Sequence, residues 1–328
     1  MNRETALQNK LAVAILVFLG AALASCSGPK SDFVEHAMLE KTEIPTALAI
    51  APDGTVWFTM DLSPAMGRIR DGKQERILLG NGKRNNVEPL GLGVDAGGTV
   101  WYTDTLDQAI SSITPAGETK KFSLQTPITR LGRLTVAPDG AVWFSEGTAY
   151  SITRLKDGKI TRHVIENIRG GPYGVAVDAQ GTAWATLQGA NQILRIGIDG
   201  KMKPFEVPTR SSSPTDITVD AGGAVWFVEF RGSKVGRLAD GSITEFEVPS
   251  KSWAGLSGIA VAPDGAVWFG ALRDHAIGRV RDGQVKMFAL PREDARPYTV
   301  AVDARGNVWY ADISGYVGML KAEVAKKP

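Results

Sequence analysis

The sequence predicts an all-β protein: a seven-bladed β-propeller of four-stranded antiparallel blades, closed by an N-terminal strand that completes the last blade. Three observations predict this fold. Seven tryptophans recur at spacings of 41 to 44 residues, each follows a turn that ends in glycine, and the first strand-like segment supplies what the last repeat lacks. A repeat of about 42 residues matches one propeller blade.

The N-terminal residues are typical of an exported lipoprotein. Basic residues precede an apolar run at residues 11–24, which is too short to span a bilayer as a typical helix. The sequence Leu-Ala-Ser before Cys26 resembles a lipobox, in which the cysteine is acylated and becomes the new N-terminus. We therefore expect a signal peptide at residues 1–25, a lipidated tether at 26–32 and a single propeller domain at 33–328. A plain signal peptide or a short anchor helix with an incidental cysteine is the alternative.

The cysteine count and the net charge limit the kinds of cross-link, metal site and partner that we expect. Cys26 is the single cysteine, so an intrachain disulfide and a thiolate zinc cluster are excluded. The formal net charge of +2 gives no electrostatic reason to expect nucleic acid as a partner. We expect membrane contact through the lipid on Cys26, on the periplasmic side of the envelope. In a Gram-negative host, Ser27 after the cysteine favours the outer membrane.

The repeat is built around the tryptophans. The series is Trp57, Trp101, Trp143, Trp184, Trp226, Trp268 and Trp309, whereas Trp253 falls outside it. Two short apolar runs flank a turn that ends in glycine, which indicates a β-hairpin, and a second turn, usually Asp-Gly, leads to a fourth strand. We expect each tryptophan to pack between neighbouring blades. A recurrent arginine in the third strand is interpreted as a blade-packing residue whose stem covers its neighbours.

The two ends of the chain predict how the ring closes. The last repeat stops near Lys321 with three strands, and residues 33–40 resemble a fourth strand. In this alignment Leu39 matches Val248 and Ala37 matches Phe246. The N-terminus would then complete the last blade and remove the open edge of the ring.

The repeated motif Ala-Pro-Asp-Gly-x-Val-Trp-Phe, followed by Ile-Gly-Arg-Ile/Val, resembles the streptogramin B lyase (virginiamycin B lyase) family over nearly all seven repeats, from Pro45 to Leu320. The resemblance implies a magnesium-dependent lyase that opens a cyclic depsipeptide antibiotic by elimination. In the family motif a histidine starts the innermost strand in Pro-His-Gly-Ile, one repeat carries Glu-x-His, and a further Glu follows Trp-Phe-x. A base would remove a proton while a metal and a histidine stabilise the negative charge.

This chain departs from that motif at every histidine. The residue eleven before each repeat tryptophan, which we call the axial position, is never histidine. The seven axial positions hold Thr46, Leu90, Gly132, Tyr173, Thr215, Ser257 and Tyr298. The chain has three histidines: His36 and His163 are expected on the surface of outer strands, and His275 at the start of a third strand is favoured as a structural residue.

The acidic part of the family motif is better preserved. Acids follow four of the tryptophans by three residues, at Asp104, Glu146, Glu229 and Asp312. In the second repeat Glu88 and Asp104 take the places of the two family acids, and the pair could hold a magnesium ion through oxygen ligands. The alternative is a set of solvated carboxylates without metal. Tyr173 and Tyr298 could stack on a ligand at the axial opening or simply plug it.

Three functions therefore stay open. The first is a lipid-anchored propeller that binds a small molecule, a peptide or an envelope protein at its axial face without lyase chemistry. The second is a divergent magnesium-dependent carbon–oxygen lyase, with Tyr173 or Tyr298 as an alternative base. The third is a structural envelope protein. The ligand-rim candidates are Glu146, Glu229, Asp312, Tyr173 and Tyr298.

Overall fold

The computed structural model describes residues 31–61, 63, 65–79, 89–125, 129–166, 170–250 and 252–327. Residues 32–328 form one compact unit. This unit contains seven four-stranded antiparallel sheets arranged as the blades of a propeller, which confirms the predicted fold. Among the described residues, no helix has the length and apolarity needed to cross a membrane.

The strands follow each other blade by blade, and the first strand of the described residues is β1 (Phe33–Ala37). Blades 1 to 3 contain β2 (Ile44–Ile50), β3 (Val56–Asp61), β4 (Ala65–Arg70), β5 (Lys73–Leu78), β6 (Leu92–Val94), β7 (Val100–Asp104), β8 (Ala109–Ile113), β9 (Thr119–Ser123), β10 (Leu131–Val136), β11 (Val142–Glu146), β12 (Ser151–Lys156) and β13 (Lys159–Val164).

The remaining blades continue the same pattern. Blades 4 to 7 contain β14 (Pro172–Val177), β15 (Ala183–Leu187), β16 (Gln192–Ile196), β17 (Met202–Glu206), β18 (Pro214–Val219), β19 (Val225–Glu229), β20 (Lys234–Ala239), β21 (Ser242–Glu247), β22 (Leu256–Val261), β23 (Val267–Ala271), β24 (Ala276–Arg281), β25 (Gln284–Ala289), β26 (Pro297–Val302), β27 (Val308–Asp312) and β28 (Tyr316–Leu320), and a short helix α1 (Ala322–Ala325) follows β28.

The N-terminal strand closes the ring as predicted. β1 pairs with β28 and completes blade 7 in the order β1-β28-β27-β26. The predicted register was wrong by one residue, because Val317 pairs with His36 where Val235 of blade 5 pairs with Phe246. Met38 is accordingly buried and Leu39 is 56% exposed. His36 occupies the place that Phe246 has in blade 5. Because histidine is polar, the apolar pattern of this strand was harder to align from sequence.

The core consists of seven clusters, each between two adjacent blades. Trp226 of blade 5, for example, packs against Ile259 and Val267 of blade 6. Trp309 packs against Leu48 and Val56 of blade 1, so the last blade joins the first in the same way. A large flat side chain suits this contact between sheets. The prediction that the tryptophans pack between blades is confirmed.

Each tryptophan is also held by polar neighbours. Arginine side chains of the third strands lie over the rings of four tryptophans, with 5.6 Å between the Arg237 guanidinium carbon and the Trp226 ring centre. In four blades the indole N–H donates to an aspartate of the preceding turn, as Trp226 does to Asp220 at 2.8 Å. The third-strand arginines therefore pack the blades, as predicted.

Glycine is required in the third strand by a close approach within the blade. Phe227 pairs with Gly236, and a Cβ on this glycine would lie 2.1 Å from the phenylalanine ring. Tyr310 and Gly318 repeat the arrangement in blade 7. The aromatic ring covers the neighbouring strand, and only glycine leaves room for it.

Two ends of the propeller can be distinguished. We call the end formed by the starts of the first strands and the ends of the second strands the upper face, and the opposite end the lower face. The hairpin turns with glycine at positive φ, such as Gly54 and Gly98, lie on the lower face. The connections from one blade to the next lie on the upper face, so the axial positions open there.

Candidate functional site

The first strands are irregular where they begin, at the upper mouth of the central axis. In six blades the register between first and second strands shifts beside the axial position, as between Pro172 and Val175 in blade 4 and between Pro297 and Thr299 in blade 7. Such bulges redirect a side chain away from the regular pleat. They place side chains at the axis that a regular strand would not direct there.

Two tyrosines meet across the axis. Tyr173 of blade 4 and Tyr298 of blade 7 have their hydroxyl oxygens 2.6 Å apart, and either can be the donor. Both side chains are only partly buried. Burial raises the pKa of the Tyr173 hydroxyl well above its ordinary value. The sequence predicted that these tyrosines face the opening, and the hydrogen bond shows that they bridge it.

Arg133 of blade 3 fills the axis beside the tyrosines. The residue is 7% exposed, and Nη1 donates to the carbonyl oxygens of Thr46 and Leu90 at 3.4 and 3.2 Å and to Oγ1 of Thr299 at 3.1 Å. The guanidinium carbon lies 5.7 and 5.1 Å from the ring centres of Tyr173 and Tyr298. This one side chain therefore joins blades 1, 2, 4 and 7 to blade 3.

The charge of Arg133 is balanced inside the protein. Oδ2 of Asp216, in blade 5, lies 3.8 Å from Nε. Burial opposes the charge, but Asp216 and then the two tyrosines favour it, so the pKa of the Arg133 guanidinium is raised. Arg133 is therefore a permanent cation at the axis.

Hydroxyl groups at three other axial positions bind backbone atoms of a neighbouring blade. Ser257 donates to the carbonyl oxygen of Pro297 at 2.9 Å, and Thr46 and Thr215 make longer contacts to Pro89 and Leu256. Where the family motif places histidine, these side chains therefore link one blade to the next.

Three of the predicted rim acids are fully buried. Glu146, Glu229 and Asp312 are each 0% exposed. Glu146 accepts from Arg162 Nε at 3.0 Å, and Asp312 accepts from Arg292 and from the backbone N–H of Arg296. These carboxylates are therefore not solvated: the partners of Glu146 lie in the third and fourth strands of its own blade, and those of Asp312 lie in the loops beside blade 7. A ligand-binding role for them stays a prediction.

Asp104, the fourth acid, does not form a magnesium site with the described residues. It accepts from the backbone N–H of Asp107 at 2.9 Å, and Lys121 Nζ lies 3.8 Å from its Oδ2. No group of three histidine, cysteine, aspartate or glutamate side chains could hold a metal within the described ranges. Glu88 and Cys26 lie outside the described residues, so the Glu88–Asp104 metal pair and the lipidation of Cys26 stay predictions.

The three histidines lie away from the axis. His36 and His163 stack on Trp309 and Trp143 with ring centres 6.4 and 5.5 Å apart. Both were predicted to be surface residues, but they are half-buried, and burial lowers the pKa of each imidazole. His275 contacts the carbonyl oxygen of Ala295 through Nδ1 at 2.7 Å and fixes the loop before blade 7. The structural interpretation of His275 agrees with this contact.

Sequence reasoning missed the residues next to the axial positions. The family motif has glycine there, and Gly91, Gly174 and Gly258 follow it. The chain has Arg133 and Asp216 instead in two blades, together with Ala47 and Thr299. Charged residues in a glycine position of a repeat are the sequence signal for them, whereas the family motif points to histidines and acids.

Clefts also open between blades at the lower face. One of about 830 Å³ lies between blades 7 and 1 and includes His36, Trp309 and the turn at Asp53. Asp53 forms an ion pair with Arg70 at the edge of this cleft. The axial mouth is the candidate site, because the functional positions of the resembling family motif lie there.

Comparison with known proteins establishes the family. The family model described as the virginiamycin B lyase family matches residues 82–325. The chain belongs to this family. It is also 32% identical over 209 residues to virginiamycin B lyase of Nocardia farcinica, covering 63% of this chain and 71% of that protein. The resemblance drawn from the repeats is confirmed.

Solved structures agree with this membership. A catalytically inactive histidine-to-alanine variant of virginiamycin B lyase from Staphylococcus aureus, solved with quinupristin, superposes with a TM-score of 0.81 at 28% identity, covering 88% of this chain and 98% of that one. A streptogramin B lyase structure gives 0.81 at 25% identity, covering 88% and 97%. YCF48 bound to a D1 peptide shares the fold alone, at 13% identity and a TM-score of 0.69 over 89% and 97%.

Proposed function

We propose that this protein is a binding member of the virginiamycin B lyase family, which holds a small molecule, a peptide or an envelope protein at the upper mouth of its axis without lyase chemistry. The proposal rests on the residues that occupy the mouth. None of the seven axial positions is histidine, and Arg133 with Tyr173 and Tyr298 occupies the centre.

The elimination reaction needs a base and a way to stabilise negative charge. A tyrosine with a raised pKa is rarely ionised near neutral pH, so Tyr173 is a poor base. Arg133 also opposes a second cation at the axis, since like charges a few ångströms apart repel strongly in a buried site. The described residues therefore do not fit a magnesium site at the centre, and we derive no step through the metal.

The relative solved with quinupristin supports binding without turnover in this fold. That variant lacks one histidine, is catalytically inactive and was solved with the antibiotic. In this chain every axial position lacks histidine. A protein with this propeller can therefore hold a ligand without converting it, which is the activity that we propose.

The test is incubation of purified protein with quinupristin and magnesium, followed by chromatography for the ring-opened product. We expect no product above the rate without protein. Calorimetric titration with quinupristin is the second measurement, and binding without product would support the proposal. Absence of any ligand at the upper face in binding screens would instead support a structural envelope protein.

A divergent lyase is the second candidate, and the family match over residues 82–325 favours it. If product forms and Glu88→Gln abolishes it, the lyase function replaces our proposal. Magnesium should then also raise the melting temperature of the unsubstituted protein and not that of Glu88→Gln, because a ligand that binds only the folded state stabilises it.

We also propose that the protein is exported and anchored by acyl chains on Cys26, in the outer membrane of a Gram-negative host. The apolar run at residues 11–24 and the sequence before Cys26 support this. Several acyl chains on one residue give firm anchoring. Mass spectrometry of the mature N-terminus tests the proposal, and an unmodified N-terminus beyond Cys26 would contradict it.

A further inference from the structure

Glu229 is a buried acid that the proposed function does not use. It lies at the end of β19 and is 0% exposed, and within the described residues neither of its side-chain oxygens has a hydrogen-bond partner of good geometry. The carboxyl group that faces it belongs to Glu245 of β21. Two neighbouring carboxylates in a buried site repel strongly, so the stable arrangement is one proton shared between them.

The surroundings of this pair determine which acid holds the proton. Burial and then the charge of Glu245 raise the pKa of Glu229 to about 8, against the effect of Lys234 in β20. Burial also opposes the charge of Glu245, but hydrogen bonds from Lys234 and Thr209 outweigh it and lower the pKa of Glu245. Glu229 is therefore the protonated member of the pair, and Glu245 is the charged one.

The other elements around the pair contribute polar or exposed side chains. From blade 4, Oδ1 of Asn191 accepts from the backbone N–H and the hydroxyl of Ser212 at 2.8 and 3.0 Å. The remaining charged residues of the adjoining loops and of β21 are exposed, namely Arg210, Arg231 and Glu247. Glu245 and Lys234 are therefore the charged groups that act on Glu229.

Two loops of the upper face close over Glu229, one before β18 and one after β19. Three backbone hydrogen bonds at 2.9, 3.1 and 3.2 Å join residues 230–232 to the carbonyl oxygens of Ser212 and Ser213. A Cβ on Gly232 would collide with Oε2 of Glu229 and would lie 3.0 Å from Cβ of Ser212. Both loops therefore pack directly against the acid.

The loop before β18 is strained, and the acid pair holds it in place. Ser211 and Ser213 have φ angles of 53° and 56°, a region that residues other than glycine adopt at a cost. Thr209 ties the loop to Glu245, to which its backbone N–H and hydroxyl donate at 2.9 and 2.8 Å. A change of charge at the pair therefore acts on a loop that already stores strain.

We infer that Glu229 and Glu245 form a proton-dependent switch, which holds the loops at 209–213 and 230–233 closed while the pair shares a proton and loosens them when the proton is lost. The first loop leads directly into β18, whose residues Thr215 and Asp216 lie at the axial mouth. The switch therefore acts next to the candidate site. It goes beyond the proposed function and does not depend on it.

The direction of the pH effect follows from the opened state. An opened loop exposes Glu229 to water, where its pKa returns towards 4.5, so opening releases a proton between that value and about 8. Opening should therefore become more favourable as pH rises through this range, by at most about 10-fold per pH unit, and should level off above it. The loops are held most firmly at the acidic end.

Hydrogen–deuterium exchange of the whole protein, followed by mass spectrometry, tests the switch. Protection factors, corrected for the intrinsic exchange rate, are measured from about pH 5 to about pH 9. We expect protection at 209–213 and 230–233 to fall about 10-fold or more between pH 5 and pH 8. The loops at 292–296 and 313–315 are the internal control, because Arg292 neutralises the corresponding acids of blade 7. Their protection should not fall in this way.

Two variants assign the effect to Glu229. Glu229→Gln keeps an N–H donor for Glu245 and removes the titrating group, so protection of both loops should no longer depend on pH. Glu247→Gln is the matched control, because Glu247 is an exposed acid of the same blade that pairs with Lys234 in the strand register, and it should retain the full response. Melting temperatures establish that both variants are folded.

A fall in protection that is confined to the blade 5 loops and disappears in Glu229→Gln supports the inference. An equal fall in the blade 7 loops, a fall that persists in Glu229→Gln, or protection that does not change with pH overturns it. If Glu229→Gln does not fold, the comparison of the two pairs of loops in the unsubstituted protein decides. Ring opening of quinupristin would overturn the proposed function and leave this inference standing.

Discussion

Blades 5 and 7 each bury two carboxylates at the same place in the repeat, yet only one of these pairs is neutralised by arginine. In blade 5 the acids are Glu229 of the second strand and Glu245 of the fourth. In blade 7 they are Asp312 of the second strand and Glu35 of the N-terminal strand. The second-strand acid is 0% exposed in both blades.

The pair in blade 7 is neutralised by a residue of the preceding loop. Arg292 bonds to both oxygens of Glu35 at 3.3 and 3.2 Å through Nε and to Asp312 through Nη2. Asp312 also accepts from Ser314 and from the backbone of Arg296. Both side-chain oxygens of Asp312 therefore accept hydrogen bonds.

The pair in blade 5 lacks this arginine. Thr209 stands in the place of Arg292, since Val-Pro-Thr precedes blade 5 where Leu-Pro-Arg precedes blade 7. Thr209 and Lys234 bind Glu245, whereas neither side-chain oxygen of Glu229 has a hydrogen-bond partner of good geometry. Burial and then the charge of Glu245 raise the pKa of Glu229 to about 8.

One loop residue therefore distinguishes the two buried sites, while the blade geometry stays the same. The repeat places the acids, and the loop from the previous blade determines whether an arginine contacts them. Local departures from a repeat can thus carry more chemical information than the repeat itself.

The fourth strand of blade 5 follows its third strand along the chain, whereas the fourth strand of blade 7 is the N-terminal strand β1. Removal of β1 should therefore cause the largest loss of stability. A protein that begins at residue 41 lacks β1 and Glu35, and it should be less stable by about 5 kcal/mol or more, from lost apolar burial and ladder bonds. A protein that begins at residue 32 is the control. Coinciding thermal melts of the two would contradict closure by β1.

Arg292→Met removes the cation of the blade 7 pair. It leaves Asp312 and Glu35 buried without their cation, and we expect a loss of about 3–4 kcal/mol in the free energy of unfolding, measured by urea denaturation. Adding Asp312→Asn and Glu35→Gln should recover part of that loss. Arg296→Ala, an exposed residue whose side chain makes none of these contacts, is the control and should change little. Equal effects of the two single substitutions would show that Arg292 does not stabilise the pair.

These comparisons also show what the sequence could and could not predict. The blade number, the closure and the packing of the tryptophans followed from the period, because every repeat buries the same face. The register of β1 was wrong by one, because His36 replaces an aromatic residue. Arg292 joins a connecting loop to Asp312 and Arg133 joins blade 3 to Asp216 of blade 5, and only the folded chain shows which residues meet.

The pH dependence of stability should distinguish the two acid pairs. The pKa of Glu229 rises from 4.5 to about 8 on folding, so between these values the folded state holds a proton that the unfolded state lacks. Stability should therefore fall as pH rises through this range, by at most about 1.4 kcal/mol per pH unit for this group. Urea denaturation at several pH values measures the slope, and Glu229→Gln should remove this contribution.

Thr209→Arg gives blade 5 the arginine that blade 7 has at the same place. A guanidinium beside the two carboxylates favours their charged forms, so the pKa of Glu229 should fall. The pH slope of stability should then flatten as in Glu229→Gln. An unchanged slope in Thr209→Arg would mean that the loop residue does not control the charge of the pair.

The smallest expected effect concerns the tryptophan layer, where the two blades also differ. Trp226 of blade 5 pairs with Arg237, whose guanidinium carbon lies 5.6 Å from the ring centre, whereas Trp309 of blade 7 pairs with Met319. A cation over an exposed edge of tryptophan contributes about 0.5–1 kcal/mol, and methionine keeps the apolar contact of the stem. Arg237→Met should therefore cost no more than about 1 kcal/mol in urea denaturation. A loss as large as that of Arg292→Met would show that the arginine layer, and not the acid pairs, distinguishes the stability of the two blades.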